Sequence, residues 1–180
     1  MSSAAASILR RIKCSVKALP FDTAKSLVNS FVISSIDYCN SLLTGLPNYA
    51  LDRVQRVMNA AVRMLCRAGK YSHVTSLIRD WLLLAQRIQF KLCLMMYKAM
   101  HGLAPSYLSE LCASSSVQGR TRSSAHGDLV VQRTKSKFGG RAFVIAGPAA
   151  WNRLPCSVLN SPSLDSFKAA LKTLFFNVGI

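Results

Sequence analysis

Apolar residues in this chain recur at intervals of three and four, and prolines and glycines cut the recurrence into helix-length segments. A backbone so patterned is constrained first of all to be helical. The pattern is sharpest over residues 49–69, where Leu51, Val54, Val57, Met58, Ala61, Val62 and Leu65 fall on one side and Gly69 follows as a stop. Upstream, Ile8, Ile12 and Val16 predict a helix that ends before Pro20. A second helix is expected after Asp22, a suitable N-cap, with Leu27, Phe31, Ser34 or Ser35, Tyr38 and Leu42 down one side and Gly45 and Pro47 at its end. These three segments make a compact helical unit over residues 1–70.

A fourth helix is expected over residues 85–101, with Ile88, Leu92, Met95, Met96 and Ala99 inward and Gly102 as its stop. Pro105 suits the first position of a short helix over residues 106–111. Residues 113–127 are Ser-rich, polar and non-periodic, and read as a linker. Beyond them, residues 128–133 and 141–146 are short β-branched runs separated by Gly139 and Gly140, which predicts a hairpin. Trp151 and Leu154 read as a short helical turn before Pro155, and Ser161-Pro162-Ser163 opens a last helix carrying Leu164, Phe167, Leu171, Leu174 and Phe175. The expected fold is therefore mainly α. It comprises a three-helix bundle (1–70), a helical connector (71–112), a polar linker (113–127) and a small α+β module (128–180) with a β-hairpin and a C-terminal helix.

Charge narrows the function. Lys and Arg number 23 against 7 Asp and Glu, a net charge of +16, while 51% of the residues are hydrophobic. Such a chain is no disordered basic tail, and its surface calls for a polyanion, RNA or DNA in the first place and less often an anionic membrane face. Glu110 is the only glutamate and no two aspartates are neighbours, so two-metal chemistry lacks its carboxylates. Neither a G-x-S-x-G elbow nor a phosphate-binding G-x-x-x-x-G-K-[ST] loop is present. His73, His101 and His126 stand apart from one another and from any Cys at metal-ligand spacing. No catalytic residue, cofactor, metal site or small-molecule substrate is expected. Cys14, Cys39, Cys66, Cys93, Cys112 and Cys156 are dispersed without CxxC spacing and read as buried free thiols of a reducing compartment, the alternative being a disulfide or metal site that spacing does not reveal. The most apolar stretch, residues 81–100, is cut by Arg87, Lys91 and Lys98, so no transmembrane span is expected. The Ser/Ala/Arg-rich, acid-free N-terminus has two readings, a transit peptide or the first basic helix of the domain.

Three groups of cations are candidates for phosphate contact. Arg53, Arg56, Arg63 and Arg67 fall within an arc of roughly 80° opposite the apolar face of the third helix. Asp52, at the edge of that stripe, is placed to pair with Arg56. Arg87, Lys91 and Lys98 form a second stripe within about 40° on the fourth helix. Arg120, Arg122, Arg133, Lys135, Lys137 and Arg141 cluster in and after the linker. Arginines contact phosphate bidentately, and each neutralised phosphate releases counterions. The alternative for each group is an ordinary solvated face. Tyr71, Phe138 and Trp151 are stacking candidates whose alternative is the core.

Several strings resemble the region that follows the polymerase core in non-LTR (LINE-type, jockey-like) retrotransposon reverse transcriptases. They are AKSLVNSFV at 24–32, IDYCNSLL at 36–43 and GLP at 45–47, then DRVQRVMNAA at 52–61, RIQFK at 87–91, YKAMHG at 97–102 and APSYL at 104–108. RAF at 141–143, GPAAWN at 147–152 and SLDSFK at 163–168 follow beyond the linker. The resemblance runs from about residue 8 to 176. It implies that residues 1–70 correspond to the thumb-like helical region and the rest to the C-terminal region of an RNA-directed DNA polymerase. The family's catalytic aspartates, and the Mg they hold, belong to a palm upstream of everything in this sequence. It thus implies a truncated copy or fragmentary gene model unable to polymerise alone, with RNA or DNA as partner and the missing palm or a second copy as a further one. The N-terminal helix then becomes an interior thumb helix rather than a mitochondrial leader, and the location intracellular, nuclear or cytoplasmic. The chain departs from the family at Leu83 and Gln132, where prolines are common.

Overall fold

The structure, a computed structural model, describes residues 2–69, 82–113, 129–136 and 138–178. Among them the backbone is mainly helical and contains no strand. It divides into two compact units: Met1–Asn40 with Leu46–Arg87, and Ser41–Gly45 with Ile88–Ile180. Residues 114–127 of the expected linker lie outside the described residues.

The first unit is built on α1 (Ser2–Ala18), α2 (Phe21–Val28), α3 (Ser34–Asp37) and α4 (Asn48–Leu65). Between α2 and α3 the chain stays helical through a π turn, Asn29–Ile33. As its pattern predicts, α4 buries Val54, Met58, Ala61, Val62 and Leu65. Each of the larger of these contributes about 1.5–3 kcal/mol by leaving water. Against α4 and the π turn packs α1, through Ala5 and Val16.

The second helix differs from its expectation in face and in length. Its buried residues are Ala24, Val28, Val32, Ile33 and Ile36, whereas Phe31 and Tyr38 are exposed. Apolar side chains stand side by side at 27–28 and 31–33, so two adjacent rows fit one sequence. The smaller, branched row goes inward, and the wide π turn keeps it in line. The helix stops at Asp37 rather than near Leu42, because Tyr38 is extended and Cys39 takes a positive φ of 54°. Asn40–Leu43 then forms a 3-10 turn.

From α4, Gln55 reaches the start of α5 (Leu84–Met100), where its Oε1 accepts the Leu84 N–H at 2.9 Å. Gln86 Oε1 accepts the Leu83 N–H at 2.9 Å, half of a capping box. A proline at 83 would have no such hydrogen to give. At residue 37, Asp37 takes a two-pronged contact from Arg87, with Nε to Oδ1 at 2.8 Å and Nη2 to Oδ2.

The second unit takes the rest of α5 with α6 (Ser106–Ala113), α7 (Phe143–Trp151), α8 (Cys156–Leu159) and α9 (Leu164–Val178). Gly102 ends α5 at φ 67°, with Leu103 N–H bonded to the Lys98 carbonyl, the glycine stop that the sequence predicts. Tyr97 is fully buried, stacks on Phe167 at 4.4 Å and donates its hydroxyl to the Ser161 carbonyl at 3.2 Å. Trp151 completes the aromatic core, 6.0 Å from Phe167. Ser163 Oγ accepts the Ser166 N–H at 3.2 Å and so caps α9, which buries Phe167 and Leu171 as predicted.

The expected β-hairpin is absent. Residues 141–146 belong to a 3-10 turn, Gly139–Arg141, and to α7. An unbroken apolar run such as residues 142–151 fits a buried helix as well as a buried strand. As a helix, α7 lies close against α5 at Gly147, where a Cβ would stand 2.6 Å from Met96 Sδ and force that side chain to shift. The other expected strand, residues 128–133, is described from Leu129 onward and has no partner strand among the described residues. Instead the Asn152 carboxamide accepts the Leu129 N–H at 2.9 Å and donates to its carbonyl at 2.8 Å.

Candidate functional site

In the first unit a cleft of about 720 Å³ lies between α1 and the C-terminal half of α4. Its walls carry Arg10, Lys13 and Lys17 from α1, with Arg63 from α4 and Arg67 just beyond that helix. Leu9, Ala60, Met64 and Ala68 supply the apolar part of the lining. No carboxylate is among these residues. Five cations thus converge on one concavity, a geometry that raises the local concentration of anions and is relieved of self-repulsion by binding one.

Arg67 departs from the expected helical stripe. Where α4 ends at Leu65, Arg67 takes a positive φ of 52°, and Ala68 N–H bonds the Arg63 carbonyl at 2.9 Å, the glycine-type helix stop with arginine in the glycine's place. From there Arg67 Nη2 donates to the Lys17 carbonyl at the C-terminus of α1, at 3.2 Å. That bond holds the guanidinium at the groove and satisfies a carbonyl that α1 leaves open.

Of the candidate stripe, then, Arg63 and Arg67 line the groove, while Arg53 and Arg56 lie exposed on the preceding turns of α4. Asp52 makes no ion pair with Arg56 among the described residues. The reading of charge missed Arg10, Lys13 and Lys17. Their spacing of three and four was legible, for it puts them within about 60° of one another on α1. Nothing in the sequence said which helix α1 would face.

The second candidate stripe is not uniform. Arg87 is held in its pair with Asp37, and Lys91 and Lys98 are half-buried on α5. In the third group Arg133 and Lys135 are exposed, whereas Arg120, Arg122 and Lys137 lie outside the described residues. Arg141 is half-buried, with its stem against the Gly45 turn and its guanidinium 5.2 Å from the Phe138 ring centre. Trp151 is core rather than a stacking platform, Phe138 is exposed, and Tyr71 lies outside the described residues. His101 stacks on Tyr97 at 3.9 Å, with Nδ1 2.8 Å from the Tyr97 carbonyl; His73 and His126 lie outside the described residues.

The thiols divide four to two against the expectation of burial. Cys14, Cys39, Cys66 and Cys156 are exposed and only Cys93 and Cys112 are buried. Apolar helical surroundings in sequence did not imply the inward face. Burial pushes the Cys93 thiol up to about 12 and raises Cys112 as well. Among the described residues no three His, Cys, Asp or Glu side chains converge as metal ligands, and no helix is long and apolar enough to cross a membrane. Comparison with protein-family models, curated proteins and solved structures finds no match to this chain.

Proposed function

We propose that the chain is a non-catalytic, nucleic-acid-binding piece of a retrotransposon-type RNA-directed DNA polymerase, without the palm that holds the catalytic aspartates and their Mg. The binding surface is the groove between α1 and α4. The observation that carries this reading is the convergence of Arg10, Lys13, Lys17, Arg63 and Arg67 on one cleft, with no carboxylate among the described residues of its lining. Arginine and lysine in that arrangement neutralise successive phosphates and release their counterions, so affinity falls steeply with salt and depends little on sequence. The ordered strings from AKSLVNSFV to SLDSFK supply the polymerase connection. Filter binding of RNA and DNA oligonucleotides at rising salt tests the surface. Lys13→Glu with Arg63→Glu nearly abolishes retention, and affinity equal to that of the unaltered chain would sink the reading.

A second reading, an interaction module of the same element, draws on exposed aromatics of the first unit. Phe21, Phe31, Tyr38 and Tyr49 each show more than half of their surface to solvent. Light scattering distinguishes the two, because a module that pairs with a second copy gives a concentration-dependent dimer in the absence of nucleic acid.

A further inference from the structure

We infer that the α1–α4 groove takes a single polynucleotide strand by its phosphodiester backbone alone, bases turned to solvent, with Arg67 as the pre-oriented anchor. This deepens the nucleic-acid reading above and rests on it.

The lining comes first. Apart from the five cations it holds Leu9, Ala60, Met64 and Ala68. Among the described residues of the lining there is no aromatic ring for a base to stack on, and no Asn, Gln, Asp, Glu, Ser or Thr side chain to read a base edge. What the groove recognises is therefore the repeating phosphate, with the sugar's apolar edge against the apolar part of the lining.

Size comes second. Packed helices lie about 8–10 Å apart, and the α1 row from Arg10 to Lys17 is about 10 Å long at the helical rise. A cleft of about 720 Å³ on that scale admits a strand a few nucleotides at a time. The phosphates of a duplex lie on a convex surface that meets only the rims.

Arg67 comes third. Its backbone sits in the left-handed region that favours glycine, and its Nη2 is tied to the Lys17 carbonyl. A guanidinium has five N–H groups, and this bond uses one, so an edge remains for a bidentate phosphate contact. Because the side chain is already held, it gives up little rotamer freedom on binding. The lysines of α1, with longer freely rotating stems, give up more.

Fluorescence anisotropy with the full chain at low salt tests the inference, with three probes of fifteen positions: oligo-dT, an abasic strand with the same phosphates, and a duplex. The expected result is oligo-dT and abasic strand within about threefold of each other and the duplex at least about tenfold weaker at equal salt. Arg67→Gly is expected to weaken oligo-dT about tenfold and to lower the salt slope by about 0.7, with Arg67→Lys failing to restore it. Lys13→Ala costs only about twofold to threefold under the same conditions. The inference is overturned by an abasic strand that loses tenfold, by a duplex that binds tighter, or by Arg67→Gly behaving like Lys13→Ala, and the nucleic-acid reading survives all three. Failure of the unaltered chain to bind any of the probes overturns both.

Discussion

The two units bury polar groups and spend charge in opposite ways. In the second, polar side chains serve the packing. Tyr97 gives its hydroxyl to the Ser161 carbonyl, Asn152 satisfies both backbone groups of Leu129, and Gly147 lets two helices meet at Met96. In the first, Arg87 pairs with Asp37, while five other cations, Arg67 tied to the Lys17 carbonyl among them, line a cleft with no carboxylate among its described residues. Clustered like charges repel one another and lower stability, whereas the second unit's aromatic stack carries no such cost. The second unit's stability is expected to sit in its aromatic core, and the proposed binding surface is the basic groove of the first.

Phe167→Ala strikes the core hardest. Phe167 is fully buried between Tyr97 and Trp151, and its loss empties the centre of the stack. A cost of about 3–5 kcal/mol is expected in chemical denaturation. Retention of oligonucleotides should survive where the variant stays folded. A cost below about 1 kcal/mol would mean that the aromatic stack is not where the second unit's stability sits.

Gly147→Ala tests the close approach of α7 to α5. The new methyl would meet Met96 Sδ at 2.6 Å and the Phe143 ring at 3.3 Å. Met96 is fully buried, so its thioether has little room to yield, and about 1–3 kcal/mol is lost. A neutral outcome would show that methionine's flexibility absorbs the clash.

These contrasts were unequally legible. The runs of α1, α4, α5 and α9 were plain in sequence because each has one apolar face and a proline, serine or glycine at its boundary. The hairpin was not a helix to the eye, since Phe143, Val144 and Ile145 favour strands and the close approach of Gly147 to Met96 shows only in the structure. In the second helix two apolar rows competed, and a π turn with no sequence signature chose between them. Half of the groove was visible as the α4 stripe. The α1 cations and the left-handed Arg67 were not, because helix pairing and a non-glycine helix stop are decided by packing.

Thiol reactivity gives a subtler contrast. Burial raises Cys93 to about 12 and raises Cys112, so neither forms thiolate readily near pH 8. Cys14, Cys39, Cys66 and Cys156 are exposed. Titration of the native chain with a thiol-specific disulfide reagent should show four fast groups, and two more only on denaturation. As pH rises toward 10, Cys93 remains silent. Six fast groups at pH 8 would place Cys93 and Cys112 at the surface and break the burial assigned to α5 and α6.

The smallest expected effect lies on the groove and is the most discriminating. Arg67→Gly removes a side chain from a left-handed position, which should return about 1 kcal/mol of backbone strain. It also removes one hydrogen bond to the Lys17 carbonyl, worth about 0.5–1.5 kcal/mol where solvent competes. The terms oppose and nearly cancel, so the melting midpoint moves by no more than about 2–4 °C in either direction. An arginine kept only to hold α1 would give a clear loss when replaced. An arginine held in a glycine's conformation for its guanidinium costs the fold about as much as it contributes, so its removal should register in oligonucleotide affinity rather than in the melting midpoint.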